Sequence, residues 1–386
     1  MAMNFGTVLK SAIQRPVLGG PLCLLGAVAS LLLVLGVPRY VGADTIQKTD
    51  GEVIRDVKIT KATWKTVKFE AKGIPQSVDA TDVESIDRNS RYLDKARADQ
   101  RKGRYPQAIQ NLKNAKNAGG EKWEMPEIAY RKGAIYLDWS SQSKSKSKLK
   151  SARKAFDSFV KKFGSGDDFY VPHATLGLAK TLELSGQPKS ARSYYSELAK
   201  FGGIWKQRGA IGEARSIVKS NGSPGDAQRI LNQIINDDRA PDAAREEAAV
   251  WSAFTLVKLK RFDEAERLLD RKFFNPRGVE VRYNDNYAQA SNVMGDVFLG
   301  KKDPEQAELW FLRTTCFFRS KPAAFRTAAE RLVKIYEDQG HSKRANQWRA
   351  QLERGQKKKS SKKNGKKSKE RSKKKKNGKK SKDATR

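Results

Sequence analysis

Apolar and polar positions first alternate in the stretch 44–88. Val53, Ile54, Val57 and Ile59 fall within Glu52–Thr60, and Val67, Phe69 and Ala71 alternate with Lys68 and Glu70. A period of two with charges on the second face predicts half-buried antiparallel strands. Asp50-Gly51 marks a turn before them, Gly73-Ile74-Pro75 interrupts them, and Val78, Val83 and Ile86 resume the rhythm. The segment is predicted to be a small β module. A piece of about 45 residues rarely encloses a deep core, so it is expected to lean on the first helices after it.

From Ser90 to about residue 355 the period becomes helical and a local pattern recurs. A helix ends in a Gly- or Pro-marked turn, and a second helix follows with Ala near its start. Instances are Gly103-Arg104-Tyr105-Pro106-Gln107-Ala108, Gly186-Gln187-Pro188-Lys189-Ser190-Ala191 and Lys302-Asp303-Pro304-Glu305-Gln306-Ala307. The recurring alanines are Ala108, Ala152, Ala191, Ala227, Ala265, Ala307 and Ala345, and each is followed by a large residue such as Leu112, Phe156, Tyr195 or Phe311. Small residues recur in the first helices at Ala96, Gly133, Ala179, Ala253 and Gly295, with Tyr136, Leu182, Leu256, Phe298 and Tyr336 after them. Arg215 falls at that small position in the fourth pair, and Ser140–Ser147 reads as an inserted polar loop.

This pattern resembles tetratricopeptide repeats, with Ala-to-Ala steps of 36 to 44 residues against the usual 34 or so. The resemblance implies a mainly α fold, a helical-hairpin solenoid of about seven pairs over 89–355. The strand rhythm before it resembles a small Sm-like or SH3-like barrel. The family implies a concave groove, lined by the first helices, that binds a protein or peptide partner. Aligning the helices on the family pattern places Arg97, Arg101, Tyr130, Lys180, Phe254 and Asn292 toward that groove. The lysine-asparagine-arginine clamp of chaperone-binding members is not recognisable.

The first 43 residues have another character. Lys10 and Arg15 precede Val17–Pro38, 22 residues without a charge, and Val41-Gly42-Ala43 follows. A basic start, an apolar run and a small-residue end describe a secretory signal, with cleavage leaving Asp44 first. The same run is long enough for an uncleaved transmembrane anchor. Both readings export the body to the periplasm or cell envelope.

Charge completes the division of the chain. The formal net charge is +35, yet 44–88 holds 8 basic and 9 acidic residues, whereas 356–386 holds 17 basic and 2 acidic ones. That tail has two near-copies, 362–369 and 375–382, and no apolar residue but Ala384, so it is expected to be disordered. Its lysines, Lys357, Lys358, Lys359, Lys362, Lys363, Lys366, Lys367, Lys373, Lys374, Lys375, Lys376, Lys379 and Lys380, are candidate contacts for a polyanion. Anionic membrane, an acidic envelope polymer and nucleic acid all fit a charge block of this kind.

Candidate chemistry is sparse. His173 and His341 stand far apart without a second ligand at metal-site spacing. Cys316 sits in the apolar run Thr314–Phe318 and reads as a buried, inert thiol. Gly295–Lys302 imitates a phosphate loop but has Lys302 where Ser or Thr should hold Mg²⁺. Neither a catalytic set, a cofactor site nor a metal site is expected. The sequence therefore points to an exported scaffold that docks partners in its groove and is tethered by its tail. The alternative is a nucleic-acid-binding protein that uses the basic solenoid and tail, and the leader separates the two.

Overall fold

The computed structural model describes residues 43–119, 121–275 and 284–353. The leader and the basic tail lie outside them.

Five strands come first: β1 (Asp44–Lys48), β2 (Val53–Ala62), β3 (Thr66–Ala71), β4 (Ile74–Asp79) and β5 (Val83–Asp87). All pair antiparallel in the order β4-β3-β2-β1-β5. Ile46 stands opposite Ile54 and Ile86, and Ile59 opposite Phe69. The buried face is the alternating set Ile46, Val57, Ile59, Val67, Phe69, Val83 and Ile86. β4 and β5 lie at opposite edges yet are joined only by the 3-10 turn Ala80–Asp82. Opposite edges of a flat five-stranded sheet stand about 19 Å apart, and the connection reaches about 14 Å. The sheet is therefore curled.

Seven helical pairs follow: α1 (Arg91–Arg101) with α2 (Tyr105–Asn117), α3 (Glu124–Ser143) with α4 (Lys146–Phe163), α5 (Tyr170–Leu184) with α6 (Pro188–Glu197), and α7 (Gly203–Lys219) with α8 (Pro224–Ile235). Then come α9 (Asp242–Lys258) with α10 (Phe262–Leu269), α11 (Asp285–Gly300) with α12 (Pro304–Phe317), and α13 (Pro322–Asp338) with α14, described over 342–353. Each helix packs on the next, and the first helices from α3 to α13 also pack on one another along one face. All seven recurring alanines are fully buried. They start the second helices, where a side chain no larger than a methyl lets the pair close. Proline in the first turn of α2, α6, α8 and α12 sets the backbone for helix entry.

Three local expectations are corrected. Ser140–Ser147 is not a loop: α3 runs to Ser143 and α4 starts at Lys146. The hydroxyls of Ser140, Ser141 and Ser143 donate to carbonyls three or four residues back, which keeps them helical. Arg215 is not at the small position of the fourth pair; Ala214 is, fully buried, one residue earlier. A Cβ on Gly212 would strike the Tyr195 ring, just as one on Gly177 would strike Phe156, which fixes the register of α7. Cys316 is exposed, because Thr314, Thr315 and Phe318 take the buried side of that turn.

Candidate functional site: the inner face and the sheet that covers part of it

The sheet packs on the solenoid through β5. Asp87 meets Arg97 of α1 at 3.3 Å and Arg131 of α3 at 3.2 Å. The Ile86 carbonyl accepts from the Tyr170 hydroxyl of α5 at 3.5 Å. The Glu84 carboxylate pairs with Arg208 of α7 at 2.6 Å. Trp64, in the β2–β3 turn, sets its ring edge-on to Phe201 with centroids 5.2 Å apart. One apolar cluster therefore runs from Ile46 and Phe69 through Phe156 and Tyr170 to Trp205. β5 crosses the first helices of four successive pairs.

The six residues aligned to the groove fall into three environments, buried, half-buried and exposed. Arg97 is buried at 4% exposure. Its guanidinium donates to Glu127 at 2.7 Å, and to Asp94 and the Arg88 carbonyl at 2.5 Å each. It is a structural anchor rather than an open groove side chain, because β5 and α3 close over it. Tyr130 is half-buried, stacks on Tyr170 at 4.9 Å and meets His173 edge-on, and burial raises its phenol pKa. Asn292 is buried too and donates to the Ala324 carbonyl at 2.9 Å, tying α11 to α13. Arg101 and Lys180 are exposed; desolvation along the face lowers the Lys180 pKa. Phe254 is half-buried, with its ring 5.4 Å from that of Trp251 and Lys258 lying over it. The six are spread from α1 to α11 and do not form one cluster.

Sequence reasoning missed the centre of this face. Glu183 of α5 accepts from Arg215 and from the Tyr195 hydroxyl at 2.8 Å each, and from Lys219 at 2.5 Å. Arg215 also donates to the Tyr195 oxygen at 2.6 Å and reaches Glu247 of α9 at 3.7 Å. Burial pushes the Glu183 carboxyl up, but Arg215 and Lys219 outweigh it and hold it below its ordinary range. Arg215 and Lys219 both lie over the Trp251 ring at 5.5 Å. The one-residue register error hid this set, since it placed Arg215 among the packing residues. Farther along, Arg331 of α13 pairs with Asp296 of α11 at 2.9 Å.

His173 turns inward beneath β5. Its Nδ1 lies 3.1 Å from the Phe169 carbonyl and its Nε2 3.4 Å from the Glu84 carbonyl. Trp205 and Phe169 flank the ring, and burial lowers its pKa to about 4. A polar cleft of about 550 Å³ remains between β5 and the first two pairs, lined by Gln47, Asp87, Arg101 and Asp138 among others. Among the described residues no three His, Cys, Asp or Glu side chains converge as metal ligands. The phosphate-loop imitation lies within α11 and the turn after it, where Gly295 packs on Phe311 and Lys301 pairs with Asp263 and Glu266.

The chain matches no protein-family model and no curated protein. It does match solved structures. One is a tetratricopeptide repeat protein from Parabacteroides merdae, 15% identical, with a TM-score of 0.50 over 68% of this chain and 91% of that one. The fold is a tetratricopeptide-like solenoid. The apo form of RapI aligns similarly, at 13% identity and a TM-score of 0.50 over 69% of this chain and 98% of the other. At these identities the likeness concerns the fold alone. In this solenoid the first four pairs carry the sheet, and the first helices beyond α7 pack chiefly on their neighbours in the stack. No described helix is long and apolar enough to cross a membrane.

Proposed function

We propose that the protein is a non-enzymatic scaffold that docks a partner protein or peptide on the inner face from α7 to α13. The carrying observation is the division of that face. β5 closes it as far as Arg208 near the start of α7, while Arg215 farther along α7 and Trp251, Phe254, Lys258 and Asp296 on later helices line the part the sheet does not reach. Aromatic rings beside cations and an acid suit a mixed or acidic peptide, because aromatics and Arg concentrate binding energy at interfaces. The sequence supports two extensions. The leader exports the body to the periplasm or cell envelope, and the lysine tail tethers it to an anionic surface.

Affinity capture from the cell that makes the protein tests the docking reading. Full-length protein is compared with Phe254→Glu, whose ring is half-buried against the core edge, and with Lys258→Glu, whose ammonium lies over that ring. Discrete partners held by the first and lost from the two variants, at equal helicity, support the reading. The same partners on all three, or none on any, overturn it.

A further inference from the structure

A second surface is distinct from the inner face. The crevice between α3 and α4, next to the C-terminal end of α2, encloses about 410 Å³, and no residue of the sheet lines it. Its floor is apolar, with Ile128 and Phe159 at 7% and 1% exposure and Phe163 half-buried beside them. Its rim carries Lys116, Lys132, Lys154 and Lys162, and no Asp or Glu lines it. All four lysines are exposed, and none belongs to an ion pair among the described residues. The rest of α4 adds to the field: besides Lys154 and Lys162 it carries Lys146, Lys148, Lys150, Arg153 and Lys161 against Asp157 alone.

Four unneutralised lysines around an apolar trough repel one another, and a ligand that brings negative charge relieves that repulsion. The trough follows α3 from Met125 to Tyr136 and α4 from Ser151 to Phe163. At 1.5 Å per residue that is about 17 Å, or three helical turns. The floor is recessed below the lysines, so it has nothing to insert into a bilayer. The apolar anchors must come from the ligand. We propose that this crevice docks an amphipathic helix of a partner protein, with Leu- or Phe-like residues on one face and Asp or Glu along both flanks. That is the helix-in-groove mode, in which anchors at i, i+3, i+4 and i+7 enter the trough. The rim lysines select the acidic flanks and set the register.

The test uses the full chain at physiological ionic strength and a fluorescein-labelled peptide of about four helical turns. The peptide carries Leu at i, i+3, i+4 and i+7 and Glu elsewhere. A peptide of identical composition with scrambled leucines controls for attraction to the basic tail. The ordered peptide is expected to bind about tenfold more tightly than the scrambled one, and Lys132→Glu/Lys154→Glu to abolish that preference. A benzophenone on its apolar face is expected to cross-link to Met125, Tyr136 or Phe163. Equal binding of the two peptides overturns the site, as does a preference that survives in the double variant with its helicity intact. Cross-links confined to other elements do the same. Displacement of the peptide by palmitate, or variant-sensitive binding of phosphatidylglycerol vesicles without peptide preference, would make the occupant a lipid and overturn the proposal.

Discussion

Arg208 Nη2 lies 2.6 Å from Glu84 Oε2, across 124 residues of chain. The pair joins the start of α7 to the last strand of the sheet. Asp87, three residues on, does the same for α1 and α3 through Arg97 and Arg131. The sheet is thereby fastened to helices that a nearest-neighbour solenoid would leave independent.

Glu127 holds the deepest of these fastenings. It is fully buried between Arg97 and Arg131. Glu127→Ala removes the buried carboxylate and leaves Arg97 to Asp87 and Asp94, and Arg131 to Asp87. A loss of about 3 kcal/mol is expected, at the low end for broken buried pairs, because those acids still offset part of the charge. Urea unfolding measures it, and a loss below about 1 kcal/mol would show that Asp87 and Asp94 suffice without Glu127.

Gly212 tests the register of α7. Its Cα faces the Tyr195 ring without room for a methyl group. Gly212→Ala should cost about 1–3 kcal/mol through overpacking, despite the better helix propensity of alanine. A neutral or stabilising result in a thermal melt would place Gly212 away from the helix contact.

His173 supplies a pH dependence of definite sign. Burial lowers its pKa from 6.5 to about 4. Between those values the unfolded chain binds the proton and the folded chain does not, so stability is complete above pH 6.5 and is lost as pH falls toward 4. The contribution is up to about 3 kcal/mol. His173→Phe is expected to flatten the melting temperature between pH 6.5 and 4.5. An unchanged slope refutes the assignment.

Glu183 acts in a lower window. Its folded pKa is depressed below the ordinary 4.5, so its stabilisation is present above pH 4.5 and is lost as pH falls through the folded value. Arg215→Met removes one of its two cationic partners. The acid limb of the stability curve should then begin at higher pH. Identical acid limbs for the two proteins would show that Lys219 alone sets the carboxyl.

The tail makes a prediction in charge alone. Removing 356–386 takes away 17 basic residues and no apolar residue but Ala384. Helicity should stay the same, while retention on heparin and on phosphatidylglycerol vesicles should fall together and steeply with salt. Loss on one polyanion only, indifferent to salt, would show a specific recognition element.

The solenoid was legible because its packing is local. Ala108 through Ala345 recur at nearly even steps, and burial of all seven follows from helix-pair geometry. Ala214 and Arg215 mark the limit of such reading. A one-residue slip inside a helix changes no composition, yet it moves an arginine from the packing seam to the inner face. The serines of Ser140–Ser147 misled because loops and back-bonded helix ends favour the same residues. The inner-face contacts of β5 were least visible. The longest of them join positions more than 80 residues apart, as Ile86 and Tyr170 or Glu84 and Arg208 do, and no period in the sequence encodes such a meeting.

The β5 crossing also divides the stack mechanically. The pairs from α1 to α8 share a brace, while those from α9 onward are linked in series. In a series arrangement the compliance of each joint adds to the next. Changes in curvature are therefore expected to concentrate in the last three pairs. The braced end is then a fixed mount, and the docking face proposed above would have a stiff root and a pliant tip.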